Sequence, residues 1–544
     1  MPKLSQATTA ELVALLEHPS GWRRDTASRL LYERQDRSAV LPLRTLARRS
    51  RSPLGRTHAL HALAGLNALA ADDALAALSD PEPRAREHAL KLAERFCDND
   101  PRIERVMLGL VTDPDALVRY QLAFSLGALP ASQPALALAA LAKTDGADPW
   151  VRLAILSSVT GCPGDVFREL AGDAEFRAKP HGRTFLPILA AQTAANRPAD
   201  VSVVLKALDG PLAGDQALAR AIVAALMTKM SSETHSLFAG SAGGRARAIL
   251  AELLTDARAT AVDEHKPAPA RAVAVRALRF APFPEERAVL AELLATRQPA
   301  EVQTAAIETL ASYHDAAVAS VLLAAWPGMS PKLRATAAEA IFARPAWIGA
   351  FLDAIENGTV GRGDVDPARL NLLKTYPDTA VRARASTVFA AGLARRQEVV
   401  TTYQKALELK GDPGRGKAVF QKNCSSCHRL ENVGEPIGAD LSAVRDRGLE
   451  AVLLNILDPN REVMPQYVSY MLVTTSGRVV TGLITAESAN SLTIQKPDGG
   501  AEAVLRLDIE ELRSTGQSYM PEGLEKQIDI PAMADLLAYL NSTR

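Results

Sequence analysis

"DPDALVRYQLAFSLGAL", residues 113–129, decides how most of this chain folds. Asp113 is suited to an N-cap, and Pro114 to the first helical position, where its missing N–H costs nothing. Val118, Leu122, Leu126 and Leu129 then fall on one helical face. The pattern returns: "DPEPRAREHAL" starts at Asp80, "DPWVRLAIL" at Asp148 and "SPKLRATAAEAIF" at Ser330. Prolines in related settings stand at 19, 53, 81, 114 and 149, then at 267, 299 and 331, a period of about 33 residues. One helical pair cannot bury such a face alone, so neighbouring pairs must stack.

The D-P-x-x-x-V-R unit resembles HEAT repeats, which implies an α-solenoid over residues 8–395. Composition agrees with a mainly α protein: aromatics make up only 5% of the 544 residues, while Ala and Leu abound. Lys+Arg and Asp+Glu each number 62, so no net field draws the chain to nucleic acid or to an anionic membrane. No apolar run is long enough for a transmembrane segment. His58 and His61 could share a helix face and hold a metal, but ordinary surface histidines are the better reading. Cys97 and Cys162 stand alone and read as small buried hydrophobes. The array shows no G-x-S-x-G, no H-E-x-x-H and no glycine-rich phosphate loop, and we assign it no catalytic residue. It reads as a binding or spacing element.

The composition changes near residue 396. A helical linker over 396–412 leads to a Gly/Pro cluster at Gly411, Pro413, Gly414 and Gly416. A short helix then carries Lys417 to Asn423. Over about 466–508 the period drops to two, with turn signals at Ser476-Gly477 and "PDGG", which predicts a β-meander of three or four strands. The chain closes on "PAMADLLAYLNS", a helix opened by Pro531 with Leu536, Leu537 and Leu540 on its apolar face.

Between these elements lies "NCSSCH", residues 423–428. C-x-x-C-H is the spacing of covalent haem attachment: both thiols add to vinyl groups and the histidine supplies an axial iron nitrogen. Those roles fall to Cys424, Cys427 and His428. Zinc would need a fourth ligand, and no second C-x-x-C exists. A redox dithiol calls for a βαβ setting that the sequence lacks. For the second axial ligand, Met520 in "SYMPEGL" is the leading candidate and Met464 in "EVMPQY" the alternative; Met471, in an alternating strand, reads as packing.

"GRGKAVFQKNCSSCH", the later Met-Pro and the terminal "DLLAYL" resemble class I cytochrome c. The resemblance implies that the first helix crosses the last, with Gly416 and Phe420 against Leu536 and Tyr539. It also implies a Gly-Pro carbonyl that orients the proximal histidine; here the residues are Gly438-Ala439, which keep the carbonyl and lose the proline ring. More specifically, "ILDPNREVMPQYVSYMLVTTSGRVVTGLITAES" with "DIEELRSTGQSYMPEGLEKQI" is similar to the haem-binding C-terminal domain of planctomycete- and verrucomicrobium-type proteins. There a β-meander interrupts the cytochrome, which implies a haem domain over 413–544 carrying one covalent haem c.

Members of that family often carry a β-propeller dehydrogenase domain and an export signal. "MPKLSQATTAELVALLEHPS" is not a secretory signal, so a split gene or a fragment of a longer exported protein is expected, in a periplasmic or other extracytoplasmic setting. The leading expectation is an electron carrier that takes electrons from a dehydrogenase domain or partner, with protein contacts through the solenoid. A haem enzyme or sensor, and an interaction scaffold with a vestigial cytochrome, are the competing classes. The segment from residue 401 holds 15 Lys/Arg against 19 Asp/Glu, a mildly acidic surface for such a partner.

Overall fold

The computed structural model describes residues 4–130, 134–230, 244–390, 396–442, 444–496 and 499–542. The chain forms two compact units, Met1–Leu253 and Leu254–Arg544. Each contains stacked helical pairs, and the second adds a small antiparallel sheet and the cysteine-bearing segment.

In the first unit the repeat motif acts differently from its simplest reading. The helix Ala116–Ser125 is capped by Asp115, whose carboxylate accepts from the N–H groups of Leu117 and Val118 at 2.8 and 3.3 Å. Asp113, expected as the cap, lies outside the helix and is buried. It receives Arg86 of the helix Pro83–Ala93 through two hydrogen bonds of 2.7 and 2.8 Å. A buried carboxylate gains more from a two-pronged guanidinium than from an exposed cap, and Asp115 takes over the capping.

The same pair recurs one repeat either side. Arg56 holds Asp80 at 2.6 and 2.6 Å, and Arg119 holds Asp145 at 2.7 and 2.7 Å. Each arginine also donates to a carbonyl six residues earlier, that of Ser50, Asp80 or Asp113. The Arg of V-R thus staples its own loop and the next repeat together. Cys97 and Cys162 are buried, as their isolation in sequence suggested.

In the second unit the helices from 254 to 390 enclose Trp326, Trp347 and Phe351. The sheet has five strands in the order β4-β3-β2-β1-β5: β1 Val468–Thr474, β2 Val479–Glu487, β3 Ser491–Gln495, β4 Ala501–Leu505 and β5 Ile509–Ser518. Four strands form the expected meander. Gly477 (φ 79°) makes its first turn, whereas Pro497 and Asp498 of the second lie outside the described residues. The fifth strand returns to the free edge of β1, pairing Leu472 with Leu512 and Tyr470 with Ser514. It escaped the sequence reading because only Ile509 and Leu512 are buried along it; backbone pairing rather than apolar alternation places it.

The sheet also docks on the helical array. The Tyr470 hydroxyl donates to the Met329 carbonyl at 3.3 Å, and the Ser330 hydroxyl to Glu487 at 2.7 Å. Buried Arg506 donates to Gln303 at 3.0 Å and also pairs with Glu487. The sheet is therefore fastened to the array by several polar contacts.

Arg86 and Asp113 are 11% and 3% exposed, so Arg86→Ala leaves a buried carboxylate uncompensated. We expect a loss of about 3 kcal/mol, read as a lower urea midpoint by circular dichroism. Burial alone would push Asp80 and Asp113 up, but hydrogen bonds from Arg56 and Arg86, with neighbouring backbone N–H groups, hold both below the ordinary 3.8. Their contribution is complete above that value and is lost as pH falls through the lower folded pKa. In acid titrations the Asp113→Asn variant should show a shallower loss of stability than the parent.

Candidate functional site

The site begins with a helix crossing. Asp412 caps the helix Pro413–Asn423 by accepting from the Arg415 N–H at 2.9 Å, with Pro413 in the first turn. This helix lies directly on the terminal helix Ile530–Ser542. A Cβ on Gly416 would stand 2.0 Å from the Asp535 carbonyl oxygen, and one on Gly411 2.1 Å from that of Ala534. Only glycine admits this approach. Arg415 donates to Asp535 at 2.7 and 2.8 Å, and the Phe420 and Tyr539 rings lie 5.7 Å apart. Gly416 and Phe420 meet the terminal helix, with Leu536 and Tyr539 in the shared core.

The crossing fixes where the first helix ends. The Cys424 N–H donates to the Phe420 carbonyl at 2.8 Å, and the His428 N–H to the Cys424 carbonyl at 2.9 Å. This last turn brings Cys424, Cys427 and His428 to one cavity. A loop then wraps the imidazole. The Gly438 N–H donates to the Cys427 carbonyl at 2.6 Å, and His428 Nδ1 lies 2.9 Å from the Ala439 carbonyl. Gly438 itself packs on the ring: a Cβ there would meet His428 Cε1 at 2.5 Å. The carbonyl expected from Gly438-Ala439 is in place without the proline. With Nδ1 so engaged, Nε2 is the nitrogen left for another ligand.

The rest of the cavity comes from two ends of the sheet. Residues 459–467 run into β1, residues 518–524 run out of β5, and the Tyr519 N–H donates to the Tyr467 carbonyl at 2.8 Å. Met520 and Met464 both line the cavity, Met520 half-buried and Met464 43% exposed. Met471 lies half-buried on β1 and is not among the lining residues. Tyr467 and Tyr519 line it too, and nothing in the sequence marked them; only the pairing of β5 with β1 brings them together.

The cavity holds about 230 Å³ and opens in part to solvent. Burial, then the nearby Cys427, pushes the Cys424 thiol up to about 11. A redox dithiol needs the reverse, a thiol lowered towards neutrality. Two thiols, an imidazole with one nitrogen engaged and a thioether around one largely apolar cavity fit a covalently held haem. His58 and His61 lie in the first unit, where His61 Nε2 is 3.0 Å from His88 Nδ1; among the described residues no three His, Cys, Asp or Glu side chains form a metal-binding group.

No family model matches the chain. Over 64 residues, 12% of its length, it is 36% identical to a cytochrome c-553-like protein of Synechocystis sp. (strain ATCC 27184 / PCC 6803 / Kazusa). The chain spans about 60% of the length of that curated relative. Among solved structures it is similar to Kap121p, at 14% identity with a TM-score of 0.39, over 74% of this chain and 48% of that one. Kap121p bound to Pho4p gives 14% identity and a TM-score of 0.41, over 84% of this chain and 54% of that one.

Gly416→Ala should cost about 3 kcal/mol, because neither backbone at the crossing can retreat. Calorimetry should show the loss as a lowered unfolding temperature, whereas Gly349→Ala, in the helix Pro345–Glu356 with open space around it, should not lower it.

Proposed function

We propose that residues 413–544 are a mono-haem c-type cytochrome and that the chain is an electron carrier on a helical-repeat scaffold. The observation that carries this is His428: its Nδ1 is held by the Ala439 carbonyl, in a cavity shared with both thiols. Cys424 and Cys427 would hold the haem covalently as thioethers, by net addition of S–H across its vinyl groups, which needs no oxidant. His428 through Nε2 and Met520 through its thioether would hold the iron, with Met464 as the alternative thioether. When bound, haem supplies reversible one-electron chemistry, and His/Met ligation favours the reduced state.

The chain's own residues orient the imidazole and leave the cavity partly open for electron exchange. The partner is a redox protein, such as a dehydrogenase domain or subunit that donates single electrons, in an extracytoplasmic compartment where haem c is attached. Protein contacts through the array fit a further observation. Trp22, Leu54, Leu117 and Trp150 recur two residues before the stapling arginine position and are 56%, 53%, 43% and 66% exposed. Exposed apolar side chains at this repeated position suit protein contact better than nucleic acid, although Arg84 stands there in one repeat.

The test is export of the chain behind an added signal peptide into a periplasm that matures c-type cytochromes. We expect haem that survives a denaturing gel and a low-spin, methionine-ligated spectrum. Met520→Ala should lower the reduction potential and abolish the methionine signature, while Met464→Ala should leave both unchanged. A folded chain with no covalent haem would overturn the reading, and a high-spin spectrum would turn it towards a haem enzyme or sensor.

A further inference from the structure

The strand that delivers Met520 to the cavity is held from the helical array. Arg334 and Asp364, both on the array, form an ion pair whose side chains are 1% and 4% exposed. Arg334 also donates to the carbonyls of Trp326 and Pro327, at 3.1 and 3.0 Å, and lies 5.1 Å over the Tyr470 ring of β1. Asp364 accepts from the Gly361 N–H at 2.9 Å and from the Ser514 hydroxyl of β5 at 2.6 Å. The same Ser514 oxygen accepts the Gly516 N–H at 3.0 Å. Gly516 has φ 65°, and its Cα would lie 2.9 Å from a Cβ on Gly361, so array and strand touch backbone to backbone.

Four residues further on stands Met520. The path between is pinned at each step: the Ser518 N–H to the Asn460 side chain at 2.7 Å, Tyr519 to Tyr467, and the Met520 N–H to the Ser518 hydroxyl at 3.2 Å. The buried ion pair of the array thus fixes the strand at Ser514 and Gly516, and Asn460 and Tyr467 guide the last residues to the thioether. Cys424, Cys427 and His428 are carried by other chain, the helix Pro413–Asn423 and the turn after it, which has no part in these bonds.

A buried ion pair is costly unless fully coordinated, and an apolar contact would dock a sheet as well. What the polar relay adds is direction, since each donor and acceptor admits one placement. We propose that Asp364, oriented by Arg334, is a positioning residue for Met520. Through Ser514 and Gly516 the helical array sets where the thioether sits and how firmly it fills the second axial position of the iron. This rests on the cytochrome reading above. It makes one axial ligand answerable to the array and leaves the other independent of it.

The test uses the exported, haem-loaded full chain with Ser514→Ala and Asp364→Asn. Glu487→Gln serves as the comparison: it breaks the Arg506–Glu487 pair, which docks the same sheet away from the cavity. The readouts are titration of the ferric protein with imidazole, which competes with methionine, and the reduction potential. Ser514→Ala and Asp364→Asn should keep covalent haem while imidazole binds about tenfold more tightly, with a lower potential. Ser514→Thr should restore both, and Glu487→Gln should lower thermal stability and move neither. Should Asp364→Asn fail to fold, Ser514→Ala alone decides. Unchanged imidazole affinity and potential in Ser514→Ala would overturn the proposal, as would equal changes in Glu487→Gln. A parent spectrum indifferent to Met520→Ala also overturns it while sparing the cytochrome reading. No covalent haem in the parent removes both.

Discussion

At Gly411, just before the helix Pro413–Asn423, and at Gly416 within it, the backbone touches that of the terminal helix, and this contact places the cysteine side of the cavity. With no side chain between them, the helix Pro413–Asn423 sits directly on Ile530–Ser542, and its last turn is thereby aimed. Cys424, Cys427 and His428 follow from that aim, since the hydrogen bonds from Cys424 and His428 continue the helix into the motif. Any side chain at Gly416 would lift the helix off its partner and move all three together. The chemistry of the site is thus one step removed from a steric condition that involves no reactive group.

A second theme joins the array to the sheet. Arg–carboxylate pairs that are nearly out of water recur at Arg56–Asp80, Arg86–Asp113, Arg119–Asp145 and Arg334–Asp364. In the first unit they fasten one repeat to the next. In the second unit the same chemistry reaches across to β5. Guanidinium suits both tasks, because its fixed fork satisfies a carboxylate and nearby loop carbonyls at once. The meander is therefore not a passive insertion between the cysteine motif and its methionine. It is a bridge, with one end in the array and the other in the cavity.

Much of this could be read from letters alone. Periodic Asp-Pro with a following V-R implies stacked helices, because a single amphipathic pair cannot satisfy itself. C-S-S-C-H implies its own turn, since residues three and four apart meet on a helical face. The meander was legible from alternation, and Cys97 and Cys162 from their isolation. Less legible was Asp113, whose cap-like spacing hid a partner 27 residues away. The strand Ile509–Ser518 was hidden too, because too few of its side chains are buried to leave a pattern.

The line between the two kinds of information is physical. Local order, such as helix starts, the cysteine turn and strand alternation, depends on neighbours within a few residues, so the sequence by itself determines it. Tertiary structure alone decided which distant groups share a site: Ala439 against the imidazole, Tyr467 beside Tyr519, and Asp364 holding Ser514. Those contacts arise only when separate elements pack, and their partners are set by where backbones can approach and which buried charges must be satisfied. Neither condition leaves a periodic trace along the chain.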